Sequence, residues 1–365
     1  MSHDAHPAPA EPLVLSRREG PITRITLNRP RAINALNLEM FELLEAALET
    51  AWGDGSTAIL LDGAGERGFC GGGDIKQLSG PHGREILAVE YRVDHMIAVS
   101  PIPVVGCMDG VTMGGGIGLT GHASHRVVTE RSRLAMPEAR IGITPDVGGH
   151  LLLARAPGRL GELLAITAGE MDAGDAIALG FADHFVPSER LGDLRAALAA
   201  GEDPGSACAR FADPAPESSL LAARDWWDPI AAGALDGTSA PVAEDSAGAA
   251  RRLVRALEAS DAEPARAAAE TARRMCPTSI AVTLAQLDRT RRLGLDLASV
   301  LSDDLRVLGR LAPRPDFAEG VRAQVIDKDR DPRWSPARIE ELDPAELAAI
   351  LAPDLAAEET PLVLR

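Results

Sequence analysis

Two runs of three glycines, Gly71-Gly72-Gly73 and Gly114-Gly115-Gly116, and two carboxylates in one loop, Glu138 and Asp146, are the residues best suited to chemistry. Each glycine run follows an apolar stretch that reads as a strand. Consecutive glycines strip side chains from the backbone, so a ligand can approach the N–H groups closely. Two such runs suggest two donors converging on one ligand atom, as needed to hold an oxyanion. Two tight turns with no ligand fit the runs about equally well. Glu138 and Asp146 are framed by Pro137, Gly142, Pro145 and Gly148-Gly149 in apolar surroundings. Such surroundings raise a carboxyl pKa, and two carboxyls on one loop can divide acid and base work. On composition alone, a helix-capping Asp146 and a surface Glu138 remain the simpler reading.

Other chemistries find no support. There is no Gly-x-Ser-x-Gly elbow and no phosphate loop ending in Gly-Lys-Ser/Thr. The glycine runs match a dinucleotide fingerprint only through the local abundance of glycine. His122 and His125 lack a third ligand, so no metal site is expected. The four cysteines have no metal-type spacing. A formal charge of −17 argues against nucleic acid as a partner, and no apolar run approaches a membrane span. The first twelve residues carry acids and prolines where an export signal would be basic and then apolar. They read as a disordered leader, with reduced thiols and a cytoplasmic location expected.

These residues must be positioned by a core poor in aromatics, which make up only 3% of the 365 residues. Residues 13–28 alternate as strand does, and Asn37 is a candidate cap for a helix bearing Leu38, Phe41, Leu44, Leu48 and Ala51 at helical spacing. A strand is expected at 58–62, a helix at 84–99 and a buried strand at 104–108. The second glycine run, a short helix at 117–121 and a strand at 126–129 follow. Helices are expected at 148–154, 160–168 and 172–179. Strands alternating with helices imply an α/β core with parallel pairing. That core is read over residues 13–200, a loop-rich linker and insertion over 201–248, and a helical region over 249–365. The clearest helix of the last region is 277–294, and 321–326 is an ambiguous strand.

Motifs spread along the chain resemble the crotonase (enoyl-CoA hydratase/isomerase) superfamily. They are Asn28-Arg29-Pro30 with Asn34-Ala35-Leu36, Phe69-Cys70-Gly71-Gly72-Gly73-Asp74-Ile75, and Gly110 through Gly116. Further markers are similar to the branch that hydrolyses 3-hydroxyisobutyryl-CoA. These are residues 112–119, Met136-Pro137-Glu138, Pro145-Asp146-Val147-Gly148-Gly149, Pro277-Thr278-Ser279, Asp316-Phe317, residues 319–323 and Asp327-Lys328-Asp329.

The resemblance implies a crotonase-like (ClpP/crotonase) spiral of ββα units with a helical C-terminal region. It implies an acyl-CoA substrate and no separate cofactor, since coenzyme A is part of the substrate. By position, the N–H groups of Gly73 and Gly115 would form the oxyanion hole. Glu138 would be the catalytic glutamate, Asp146 its companion acid, and Glu90 a further acid at the acyl pocket. Tyr91 beside it reads as packing. Hydratases of the superfamily carry another glutamate at the position of Gly118, so hydrolysis of a 3-hydroxyisobutyryl thioester in valine breakdown is the leading reading. A hydratase or isomerase, and a silent coenzyme-A-binding protein, are the rivals. Arg29, Arg31, Lys76 and Lys328, with Ala32, are candidates to meet the coenzyme A phosphates. The oligomeric state stays open; superfamily members often form trimers or hexamers, so a homo-oligomer is one expected outcome.

Overall fold

The chain folds around a six-stranded sheet in which five neighbouring strands run parallel. The structure is a computed structural model describing residues 11–236 and 240–364. The leader expectation therefore falls, for residues 1–10, outside the described residues. The sheet order is β1-β2-β3-β4-β6-β9, with β1 Val14–Glu19, β2 Ile22–Leu27, β3 Ala58–Gly63, β4 Val104–Met108, β6 His125–Val128 and β9 His184–Phe185. A second sheet has the order β5-β7-β8, formed by Val111–Met113, Arg133–Ala135 and Glu170–Met171. The first expected strand is in fact a hairpin, because Gly20 takes a φ of +59° and turns β1 antiparallel onto β2.

The apolar spacing after Asn37 yields helix α1, Leu38–Gly53, and the Asn37 side chain accepts from the Met40 N–H at 3.0 Å. Phe41, Leu44, Leu48 and Ala51 are buried against the sheet core. Helix α2, Gly83–Ala98, α3, Gly115–Gly121, and α4, Gly149–Arg155, surround the second glycine run. Asp172 caps the helix 173–178 in a reciprocal capping box.

Two secondary-structure expectations are corrected. The loop-rich stretch 201–248 contains helices Pro204–Phe211 and Ser219–Ala231. Asp203 and Ser218 cap their starts, while Pro204 and the internal Pro229 dilute the apolar period that would have revealed them. The segment 321–326 is not a strand but a wide helical turn, Arg322–Ile326, continuing the helix Pro315–Val321.

The C-terminal helices hold the loop that carries the two acids. Helix α5, Pro277–Leu293, packs against α4, and α6, Leu297–Leu311, packs against α2. The Cys276 N–H donates to the Ala139 carbonyl at 3.0 Å, one residue beyond Glu138. Gly142 has φ +82°, and a Cβ there would lie 2.6 Å from the Asp316 backbone. Gly142→Ala is therefore expected to lose about 2 kcal/mol or more from left-handed strain and overpacking. Urea unfolding measures it, and an unchanged midpoint would refute this account of the clamp.

Candidate active site

The glycine runs are brought side by side by backbone pairing. The Leu36 N–H donates to the Gly72 carbonyl at 2.9 Å, and the Asp74 N–H returns to the Leu36 carbonyl. This parallel bridge leaves the Gly73 N–H facing the other way. On the second run, the Met113 N–H donates to the Cys70 carbonyl at 3.0 Å. Gly114 takes φ +47° and opens α3, so the Gly115 N–H lies in the first turn without an intrahelical acceptor. Neither the Gly73 nor the Gly115 N–H meets an acceptor among the described residues. A Cβ on Gly72 would lie 3.9 Å from the Gly115 nitrogen, so the two runs touch.

Asn34 ties the preceding loops to this arrangement. Its amide donates to the carbonyls of Ala64 and Phe69, and its oxygen accepts from the Arg29 N–H. The Arg29 guanidinium bonds Asp74 and the Ala35 carbonyl, each at 2.9 Å. Arg29 thus braces the first glycine run. Arg31, Lys76 and Lys328 are exposed and form no ion pair among the described residues. Arg31 and the half-buried Ala32 share a turn whose Pro30 and Arg31 carbonyls accept from Arg67.

Three of the expected acids converge on the second run. Glu138 opens a short turn, is 5% exposed, and places Oε1 3.0 Å from where a Cβ on Gly114 would be. Its Oε2 has no hydrogen-bond partner. Glu90 lies on α2, and a Cβ on Gly115 would enter the van der Waals shell of its Oε1. Asp146 accepts a 2.6 Å hydrogen bond from the Tyr91 hydroxyl. Tyr91 is therefore a partner of the acid as well as a packed ring.

Burial is the main cause that pushes all three carboxyls up. Glu138 and Glu90 rise well above the ordinary range, each further raised by the neighbouring Asp146 charge. Asp146 is pushed up to about 7 by burial and then by Asp304, while Tyr91 and His150 draw it back. A folded-state pKa above the unfolded one means that the folded protein holds the proton longer. Stability is then lost as pH rises from about 4 to about 7. Asp146→Asn lacks this loss, so its stability relative to the parent should be higher at pH 8 than at pH 5. Urea midpoints at both pH values check it; a constant difference would refute it.

Four further residues complete the site without having been singled out as its parts in the sequence. Tyr91 is one. Asp304, from α6, is fully buried and accepts from the Gly148 N–H at 3.1 Å. His150 Nδ1 lies 2.7 Å from Asp304 Oδ1, a close contact without hydrogen-bond alignment. Asp94, one turn beyond Glu90 on α2, brings its carboxyl against Gly118. The one available signal was the i, i+4 spacing of Glu90 and Asp94 on an amphipathic helix.

The sequence profile described as enoyl-CoA hydratase/isomerase matches residues 22–351. The chain belongs to the enoyl-CoA hydratase/isomerase family. Two members of solved structure share the crotonase fold. A carnitinyl-CoA dehydratase from Mycobacterium thermoresistibile is 36% identical, with a TM-score of 0.85 over 94% of this chain and 97% of that one. An enoyl-CoA hydratase from Rhodobacter sphaeroides is 40% identical, with a TM-score of 0.84 over 96% of this chain and 100% of that one. Curated family relatives carry another activity in their names. The chicken protein named mitochondrial 3-hydroxyisobutyryl-CoA hydrolase is 35% identical over 90% of this chain and 86% of its own. The zebrafish protein of the same name is 37% identical over 89% and 86%. These names overturn the cytoplasmic expectation, since the compartment they give is the mitochondrion. Reduced thiols, on which that expectation leaned, suit any reducing compartment and do not single out the cytoplasm.

Proposed function

We propose that the chain hydrolyses short 3-hydroxyacyl-CoA thioesters, foremost 3-hydroxyisobutyryl-CoA, releasing 3-hydroxyisobutyrate and coenzyme A in valine breakdown. The observation that carries this reading is Glu138, whose Oε2 meets no hydrogen-bond partner among the described residues, beside two glycine runs with free N–H groups, while position 118 holds glycine. Adding water across a double bond in this superfamily uses a second acid at position 118. Thioester hydrolysis needs one base or nucleophile and one oxyanion hole. The names of the chicken and zebrafish relatives support the same activity.

In this mechanism the Gly73 and Gly115 N–H groups receive the thioester oxygen as it becomes an oxyanion. Glu138 attacks the carbonyl carbon to give a mixed anhydride, or takes a proton from the attacking water. Asp146, held by Tyr91, binds the acyl hydroxyl and returns a proton to the leaving thiolate. Glu90 lines the acyl pocket. Arg31, Lys76 and Lys328, with the Ala32 backbone, meet the coenzyme A phosphates against the chain's overall negative charge. Substrate binding should weaken at higher salt, and salt-independent binding would count against that placement.

A hydratase is the second reading, favoured by the titles of the two solved relatives. Crotonyl-CoA and 3-hydroxyisobutyryl-CoA assayed side by side separate them. Thiol release from the hydroxyacyl thioester, with the crotonyl double bond left intact, is expected. Loss of that double bond without thiol release would reverse the assignment.

A further inference from the structure

Asp94 and Asp304 are fully buried acids of the site to which the mechanism gives no task, and of the two Asp304 is held by the Gly148 N–H. Asp94 is 0% exposed, and neither of its carboxyl oxygens has a hydrogen-bond partner. Its oxygens lie 2.8 and 2.9 Å from the point a Cβ on Gly118 would occupy, with Val147 Cβ 2.7 Å from the same point. Any side chain at 118 would displace it. The Asp94 carboxyl thus fills the space where a side chain at position 118 would begin.

Glu90 and Asp94 form a facing register with α3. Glu90 is one helical turn before Asp94 on α2, and Gly115 is one turn before Gly118 on α3. Glu90 meets Gly115, and Asp94 meets Gly118. Side chains at i and i+4 on one face are neighbours, and Glu90 is the neighbour of Asp94 on the face turned to α3. The charged or titratable groups that act on Asp94 are Glu90, Asp146 and Asp304, all acids. Tyr91 is already engaged with Asp146, and His150 contacts Asp304. Among the described residues no cation offsets a charge on Asp94, so burial and then these acids push its carboxyl well above the ordinary range and favour the protonated form. A buried O–H with no acceptor is unstable unless a neighbouring carboxylate receives it.

We propose that Asp94 is a positioning residue whose carboxylic O–H is given to Glu90, holding the Glu90 carboxyl beside the Gly115 N–H so that it joins Asp146 in binding the acyl hydroxyl of the substrate. This deepens the proposed function and rests on it, because Glu90 must face the acyl group. Without the O–H from Asp94, Glu90 is free to turn toward the Gly115 N–H and compete with the thioester oxygen. The consequence is selective: recognition of a hydroxylated acyl group needs Asp94, whereas cleavage of a thioester does not.

The test compares 3-hydroxyisobutyryl-CoA with isobutyryl-CoA, read as thiol release with enzyme in excess so that a slow substrate still gives a rate. Asp94→Leu keeps roughly the volume but removes the donor. It should lower kcat/KM on the hydroxylated substrate by about tenfold to a hundredfold and leave isobutyryl-CoA within about twofold. Asp94→Asn, whose amide N–H can donate, should restore the hydroxylated substrate to within about threefold of the parent. Equal losses on both substrates, no loss on either, or an Asn variant as poor as Leu would overturn the proposal. If the Leu variant fails to fold, infrared difference spectra of the parent and Asp94→Asn at pH 8 decide. A protonated-carboxyl band present in the parent and missing from the Asn variant supports the proposal; its absence from the parent overturns it. A parent inactive on both thioesters would instead overturn the functional reading, while the infrared result would still report the proton on Asp94.

Discussion

Glu138→Gln should abolish thiol release from 3-hydroxyisobutyryl-CoA to the extent of about three orders of magnitude in kcat. The substitution keeps the shape of a side chain that is buried at the start of the turn Glu138–Arg140. It removes the group that can attack the carbonyl or take a proton from water. Substrate binding should change little, since coenzyme A is held elsewhere in the proposed site. A Gln variant within about tenfold of the parent would remove Glu138 from the reaction. The pH dependence offers an independent reading. Glu138 must lose its proton to act, and both burial and the Asp146 charge hold that proton on. The acid limb of kcat/KM should therefore lie above the ordinary carboxylate range, and Asp146→Asn should move it to lower pH. Because these acids titrate together, the limb reports the cluster rather than one residue. Single turnover in heavy-oxygen water separates the two routes. Label in the Glu138 carboxyl marks direct attack with water opening the anhydride at the Glu138 carbon; where the label enters the product alone, quenching with borohydride decides, because only a mixed anhydride lets the Glu138 carboxyl be reduced to the alcohol.

What could be read from the sequence, and what could not, divides along contact distance. The Asn37 cap and the apolar face of α1 are local, and they appear where spacing and capping chemistry place them. The glycine runs, Glu138 and Asp146 were visible as motifs, because each requires a residue type at a fixed position along a short stretch. The helices at 204–211 and 219–231 were hidden because proline and polar residues interrupt their period, although their caps are ordinary. Asp304 and His150 were invisible for another reason. Their meeting joins α4 to α6 across about half the chain, and no local pattern marks a buried acid as part of a distant site. Tyr91 was read as packing because nothing near it in the sequence marks a partner for its hydroxyl; that partner becomes apparent only once the 146 loop folds over α2. Gly118 shows the same limit in reverse. The sequence shows an absent acid at that position, and only the fold shows Asp94 standing in the space.

Gly115→Ala should reduce kcat by about two to three orders of magnitude, the loss typical of removing one oxyanion donor. A Cβ there would overlap Glu90 Oε1 and approach Leu36 Cδ1 to 3.2 Å. Both neighbours are buried, so neither can swing into solvent to make room. Either α3 shifts and carries its first N–H out of line, or Glu90 is driven across the pocket. The first outcome weakens stabilisation of the oxyanion and lowers kcat with little change in KM. The second also disturbs the acyl hydroxyl, so KM rises for 3-hydroxyisobutyryl-CoA but not for isobutyryl-CoA. A urea midpoint near that of the parent separates loss of the hole from loss of the fold. Gly73→Ala provides the contrast, because the nearest atom to its Cβ is the end of the flexible Leu78 side chain, at 2.8 Å. Leu78 can rotate, so Gly73→Ala should keep more activity than Gly115→Ala although both glycines offer a free N–H. Equal and severe losses in both variants would mean that the ligand, rather than the neighbouring protein atoms, forbids a side chain at either run.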